Sequence, residues 1–308
     1  MAILSELPEY VDSNRDKLLK ESVMQCESAK LFTLQVGCKT KTAINLLNTD
    51  IVWQDASSCG WNAQGDSKIT QRTITAAPIK INTSFCAKTL LDSALQHQVR
   101  MTAGLENLPF AETFCQGIID KVNESLDVLI WQGDTDKSSD NNLKWTDGVI
   151  KLLKAADGIT EEGQKLTHDA PSTDKPVYQM IDDVILALPA QILKRAQIFL
   201  GWDYFRRYML EMKNLNLFHF APEDLETGVI NYPGSVIKIH ALHGLTGTGE
   251  IVAGDPKNFY FGTGDFGSDN TFDLWYSKDN DEHRFKLETQ VGTQIAFPNE
   301  CVISSLGA

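Results

Sequence analysis

The sequence is short of positive charge. Its 308 residues carry 28 Lys and Arg against 41 Asp and Glu, a formal net charge of −13. So acidic a surface repels phosphate, which argues against binding nucleic acid through charge neutralisation, and it keeps subunits soluble and apart at low salt. No apolar run approaches the roughly 18 residues of a membrane span. The opening MAILSELPEYVDSNRDK lacks the basic and long apolar regions of a secretory signal, so the chain is expected to stay in the cytoplasm where it is made. The six cysteines, Cys26, Cys38, Cys59, Cys86, Cys115 and Cys301, include no C-x-x-C pair. That scatter reads as individually placed reduced thiols rather than a disulfide framework or a zinc ribbon.

Catalytic signatures are missing as well. There is no G-x-S-x-G elbow and no G-x-x-x-x-G-K-[ST] loop. None of the six histidines, His97, His168, His219, His240, His243 and His283, joins a cysteine or serine in a recognisable nucleophile motif. Carboxylates are so abundant that pairing any two as acid and base is arbitrary. The chain is read as not an enzyme, with no catalytic, cofactor-binding or metal-binding residue and no cofactor.

Four local patterns bear on that reading. Gly262, Gly264 and Gly267 have the G-x-G-x-x-G spacing, but a dinucleotide fingerprint needs a helix after its glycines. Here the β-prone TFDLWY follows, so the glycines are read as turn residues. Asp279, Asp281 and Glu282 have the spacing of calcium ligands without the loop glycine and distal Glu, and read as a solvated hairpin turn. His240 and His243, three apart on a strand candidate, point to opposite faces and cannot share a metal. The basic pairs Lys194-Arg195 and Arg206-Arg207 read as solvated helix faces.

What is present is a soluble globular composition, 42% hydrophobic and 22% charged. At this length one large domain or two ordinary ones are expected, with roughly three quarters of the unfolded chain's surface available for burial. VDSNRDKLLKESVMQ reads as a helix and LFTLQV as an extended piece, together an arm with no strong apolar face of its own. KTAINLLNTDIVW and KITQRTITAAPIKINTSF read as two strands of a long ribbon around the tip ASSCGWNAQGDS. In the second, Ile79, Ile81, Thr83 and Phe85 alternate with Lys80, Asn82 and Ser84. Such a ribbon is marginal alone and needs another surface. From Pro109 to Gln132, Phe114, Ile118, Val122, Leu126 and Ile130 recur every four residues, the face of a long amphipathic helix. A short helix follows at TDGVIKLLKAADG. Residues 177–215 read as helix, strand and helix, with Asp203 capping the last and Phe205, Met209 and Met212 on one face. Six short strand candidates close the chain: SVIKIHALHGL, GEIVAGD, NFYFGTGD, TFDLWYSK, HRFKLETQVGTQIAF and CVISS.

Arm, ribbon, long helix, inserted α/β unit and closing strands, with no catalytic cluster, suggest an assembly protein whose extensions bury their apolar residues against other copies. VYQMIDDVILALPAQILKRAQIFLGWDYFRRYMLEMKNLNLFHF has a helix ending in Leu-Pro, then a strand and a G-x-D-x-F-R-x-Y helix start. GEIVAGDPKNFYFGTGDFGSDNTFDLWYSKDNDEHRFKLETQVGTQIAFPNECVIS has an Asn-x-x-x-Gly-x-x-Asp turn, an aromatic strand and a G-x-Q-[IV]-x-x-P run. In these stretches the chain resembles the major capsid proteins of tailed bacteriophages, of HK-ninety-seven type. The match runs from about Pro109 to the end, and the first hundred residues fit only by order of elements.

The resemblance implies an α+β fold divided into an N-terminal arm (1–40), an extended β-hairpin loop (41–84), a peripheral domain begun by a spine helix (85–140), an axial domain (141–235) and the closing strands of the peripheral domain (236–308). It implies a structural protein of the virion that self-assembles, in the host bacterial cytoplasm, into pentamers and hexamers. These would form an icosahedral shell around packaged double-stranded DNA, without sequence-specific binding. Portal, scaffolding and head-completion or decoration proteins are the implied partners, and no membrane. The arm follows Met1 almost directly, so scaffolding is expected as a separate protein or a processing event. Some relatives cross-link a lysine to an asparagine between subunits, a role open to Lys68. The alternative is an encapsulin-type compartment of the same fold.

Overall fold

The computed structural model describes all residues except 1, 50, 56–60, 62–66, 103–108, 138, 140–141, 157–163, 173–174, 217–225, 266–269 and 308. The first helix, α1 (Ala2–Met24), begins nine residues before the expected VDSNRDKLLKESVMQ and carries Pro8 inside it. Leu7, Val11, Leu18, Leu19 and Val23 form its buried stripe, so the arm has an apolar face after all. A short α2 (Glu27–Leu31) leads into β1 (Thr33–Val36), the expected LFTLQV.

The ribbon is β2 (Lys41–Thr49) paired antiparallel with β3 (Ser67–Thr75), in a register that puts Lys41 opposite Thr75 and Leu47 opposite Ile69. Its expected single second strand is two. The chain breaks at Ala76, whose amide N–H turns to Thr40 O (3.0 Å), and continues as β4 (Ala77–Cys86) in a different sheet. Most of the tip ASSCGWNAQGDS lies outside the described residues.

After α3 (Ala87–Thr102) comes the expected long helix, α4 (Phe110–Gln132). Its fully buried side is turned slightly from the one read in the sequence. Cys115, Ile119, Val122, Leu126 and Ile130 are buried, whereas Phe114 and Ile118 are only partly covered. Then follow α5 (Val149–Ala155), β5 (Lys165–His168), α6 (Val177–Ala187), β6 (Gln197–Gly201), α7 (Trp202–Asn214) and β7 (Val229–Asn231). The expected cap Asp203 sits inside the first turn of α7, where the N-cap residue is Gly201. Phe205 and Met212 are buried on the expected face and Met209 is half-buried. All six closing candidates are strands: β8 (Lys238–Leu242), β9 (Ile251–Gly254), β10 (Phe259–Thr263), β11 (Thr271–Ser277), β12 (Glu282–Ile295) and β13 (Val302–Leu306).

Those strands are shared between two sheets. The first centres on β12, which pairs with β4 along one edge and with β11 and β10 along the other, β1 lying parallel outside β10. Helices α1 and α4 cover it, with Leu7, Leu19, Ile119, Phe272 and Leu287 in the common core. The second has the order β5-β13-β9-β6-β8-β7 and packs its apolar side on α6 and α7. A division at residue 235 therefore does not separate the sheets. β8, β9 and β13, expected in the peripheral part, hydrogen-bond with β5, β6 and β7, because apolar strands buried on both sides pair wherever an edge of matching register is open.

What joins the sheets is a knot of rings. Phe32 lies between α2 and β1, Trp131 on α4, Phe199 on β6 and Phe259 on β10, with centroids 5.1–6.3 Å apart. One hydrogen-bonded chain runs beside them. The Trp131 indole N–H donates to Ser28 Oγ (2.6 Å), the Ser28 amide donates to Asp127 Oδ1 (3.0 Å), and the Gly244 amide donates to Asp127 Oδ2 (2.7 Å). Burial pushes the Asp127 carboxyl up from the ordinary range, against the hydrogen bonds that favour its charge. Gly244 has to be glycine, since a Cβ there would stand 2.3 Å from Asp127 O and 2.5 Å from Trp131 Cδ1.

Removing the Asp127 carboxylate leaves the Ser28 and Gly244 amides buried without acceptors. Asp127→Ala is expected to lower the unfolding free energy of the unassembled subunit by about 2–5 kcal/mol, whereas Asp120→Ala on the exposed side of the same helix stays within about 0.5 kcal/mol. Urea unfolding of the two variants compares them.

Burial, with Lys238 adding to it, lowers the pKa of His240 to about 4. A histidine with a depressed folded pKa contributes stability above its unfolded value of about 6.5 and loses it as pH falls toward the folded one. Stability should therefore drop between about pH 6.5 and 4, on the order of 2 kcal/mol from this residue. His240→Phe, keeping the ring contact with Phe199, should flatten that part of a pH–stability curve.

Candidate assembly surface

The ribbon has two faces of unlike fate. Side chains alternate along a strand, and Ile44, Leu46 and Ile74 fall on the side that meets the molecule's own body. They are buried with Cys38, Ala76 and Ala296, beside Tyr260 and Phe297. The Gln294 side-chain amide donates to Thr73 O (2.7 Å), fastening the root further. At roughly 1.5–3 kcal/mol for each large apolar side chain, the root is firmly held.

The other face and the far end are bare. Leu47 and Ile69, directly opposite in register, are 66% and 71% exposed. Beyond them Trp53, ahead of the tip segment, is 94% and Trp61, within it, 96% exposed. Isolated surface hydrophobics are ordinary, but two open indoles and a cross-strand aliphatic pair on one projection mark an interaction surface. Neither tryptophan belongs to a motif that makes it conspicuous in the sequence. The available signal was two tryptophans within nine positions of a Gly/Ser/Asn-rich tip.

Two smaller apolar surfaces accompany the ribbon. On α3, Leu90 and Ala94 face inward while Leu95 and Val99, one turn apart, face out. On the helices over the second sheet, Leu186 and Leu210 are exposed.

The expected extensions are thus not wholly unpartnered within one subunit. Helix α1 is buried on its own α4 and first sheet, through Leu7, Leu18 and Leu19, and the ribbon root on its own body. Only the bare face and far end of the ribbon keep the expected character.

Gly262 lies inside β10, not in a turn, at a close approach where a Cβ would meet Ile74 Cγ2 at 2.9 Å and Cys38 Sγ at 3.0 Å. Gly264 follows the strand, Gly267 lies outside the described residues, and the next element is β11 rather than a helix. Asp279, Asp281 and Glu282 form the β11–β12 turn, where Asp281 takes a positive φ of 52° and accepts from Tyr276 Oη (2.6 Å). His240 is buried against Phe199, while His243 opens a 3-10 turn and lies 3.4 Å from Glu124. Among the described residues no group of His, Cys, Asp and Glu side chains has the arrangement of a metal site, and the described cysteines are free thiols. No described helix is long and apolar enough to cross a membrane. Arg195 is not on a helix face but in a turn, paired with Asp255 and Glu300. Lys68 is exposed near the far end of the ribbon, opposite Asn48 in register.

An α1–α4 layer over one sheet, a second sheet under α6 and α7, and a projecting ribbon make the major capsid fold of tailed phages, the HK-ninety-seven type. Solved structures bear this out at low sequence identity. The satellite phage P4 procapsid protein, solved with the size determination (Sid) protein, superposes with a TM-score of 0.62 at 9% identity, over 94% of this chain and 91% of that one. The capsid of a native GTA particle gives a TM-score of 0.58 at 12% identity, over 94% and 91%. A virus-like particle from Pyrococcus furiosus gives 0.51 at 10% identity, over 96% and 100%. No protein-family model and no curated protein matches the chain.

The two faces of the ribbon differ in a way that mutation can read. Ile74→Asp puts a charge in the root and should destabilise the unassembled subunit by about 3 kcal/mol or more. Ile69→Asp, five residues earlier on the bare face, should change it by no more than about 0.5 kcal/mol. Thermal or urea unfolding of the two variants side by side checks the contrast.

Proposed function

We propose that the chain is a structural subunit that self-assembles into the icosahedral shell of a tailed phage, as pentamers and hexamers around packaged double-stranded DNA. The observation that carries this reading is the ribbon, fixed at its root and bare at its far end, on a fold otherwise met in capsids. A subunit presenting several modest apolar surfaces gains stability from many simultaneous contacts rather than from one strong one.

In this reading residues 1–40 are an arm folded back onto its own peripheral domain, which is the first sheet, β4 included, with α4. The extended loop laid over an adjacent copy is β2, β3 and the tip between them. The second sheet with α6 and α7 is the axial domain, gathered around capsomer axes. The net charge of −13 suits a container whose wall does not grip its genome, since each neutralised phosphate would add to retention. Portal, scaffolding and head-completion or decoration proteins are the partners of such a shell, and the virion is its place. An encapsulin-type compartment uses the same surfaces and differs in its contents.

Expressed alone or with a scaffold, the protein is expected to form closed particles of uniform diameter by negative-stain microscopy. A chain that remains monomeric at high concentration in both settings would count against the reading. Tight, sequence-independent DNA binding by the purified subunit at physiological salt would count against the container part of it.

A further inference from the structure

Beneath the spine helix lies a cavity of about 180 Å³ between α1, β4, α4 and β12. Val23, Ile79, Val122, Leu126 and Leu287 make its apolar walls. Ser22, Lys80, Ser125 and Asn142 add polar side chains to the lining. Thr289, 5% exposed on the inward face of β12, has a buried Oγ1 with no hydrogen-bond partner. Buried hydroxyls are nearly always satisfied, so an orphan one on a cavity wall calls for an occupant with a polar handle. Trp145, half-exposed, stands at the same cavity with the Lys144 ammonium 5.2 Å from its ring centre.

The same chain carries side chains of the complementary kind. Trp53 and Trp61 are almost wholly in solvent. An indole is a flat apolar body with a single N–H donor, and a buried tryptophan finds an acceptor for it. A closed apolar cavity of about 150 Å³ takes up benzene, so this space is of the scale of an aromatic ring. Ring and cavity match in size, apolarity and hydrogen bonding.

We propose that this cavity is the socket for a ribbon tryptophan of a second copy, with the indole N–H donating to Thr289 Oγ1. The proposal rests on the shell reading above and names the contact that would make the ribbon specific. Each copy then presents a knob on its ribbon and a hole under its spine helix. That is a heterologous contact, the kind that closes into rings of subunits.

Indole itself is the probe for the hole. Titrated onto the unassembled wild-type subunit, it should raise the melting temperature in a saturable way. Ser125 lies exposed at the cavity, so Ser125→Phe should block entry and abolish the rise while leaving the indole-free melting temperature within about 2 °C. In sedimentation velocity, Ser125→Phe and at least one of Trp53→Ala and Trp61→Ala should need about tenfold more protein to reach the wild-type degree of assembly. Absence of an indole-dependent shift overturns the socket. So does assembly of Ser125→Phe at wild-type concentration, an outcome that leaves the shell reading standing. A wild type that never associates defeats both.

Discussion

The subunit is held together at one place, where four aromatic rings and a buried carboxylate meet. Among the described residues the two sheets share no hydrogen-bonded edge. They touch through Phe199 of one and Phe259 of the other, with Trp131 and Phe32 filling the angle between. Phe32 belongs to the N-terminal segment, so the arm is an internal part of the subunit core. Asp127 enforces this order. Its two oxygens each take one amide, from Ser28 ahead of β1 and from Gly244 behind β8. Segments more than a hundred residues apart are thereby pinned to one turn of α4. Apolar contact alone would tolerate some sliding. A desolvated carboxylate with two fixed donors does not, because any shift leaves buried polar groups unpaired.

Much of the local architecture was legible from pattern. The four-residue spacing from Phe114 to Ile130 located α4 to within a residue, and Gly/Asp/Asn punctuation located all six closing strands. Long-range pairing left no comparable mark. Nothing local distinguishes SVIKIHALHGL, which joins the second sheet, from NFYFGTGD, which joins the first. That choice is made by registers with partners far away in sequence. The start of α1 is hard to read because Pro8 interrupts the pattern and its buried leucines and valines are widely spaced. Asp127 was invisible for the opposite reason. A carboxylate on an amphipathic helix is the ordinary sign of a wet face, and only the fold shows it facing inward. The assembly surface was half legible, as a ribbon in need of a partner but not as one anchored at its root.

Burial within the subunit and exposure at its margins follow a common logic. Residues that must be apolar for folding are gathered on α1, α4, α6, α7 and the two sheets. Those left bare include residues of the ribbon and of α3, with Leu186 and Leu210. Folding and association thus draw on different side chains. A net charge of −13 sets a long-range repulsion between copies that salt screens.

The break at Ala76 carries a mechanical consequence. β3 belongs to the ribbon and β4 to the first sheet, yet they are one continuous backbone with a single residue between them. β4 lies alongside the central strand β12 over ten register pairs, from Ala77–Val291 to Cys86–Glu282. A pull applied at the tip by anything gripping it is therefore delivered lengthwise along that ladder, where many bonds share the load and must yield together.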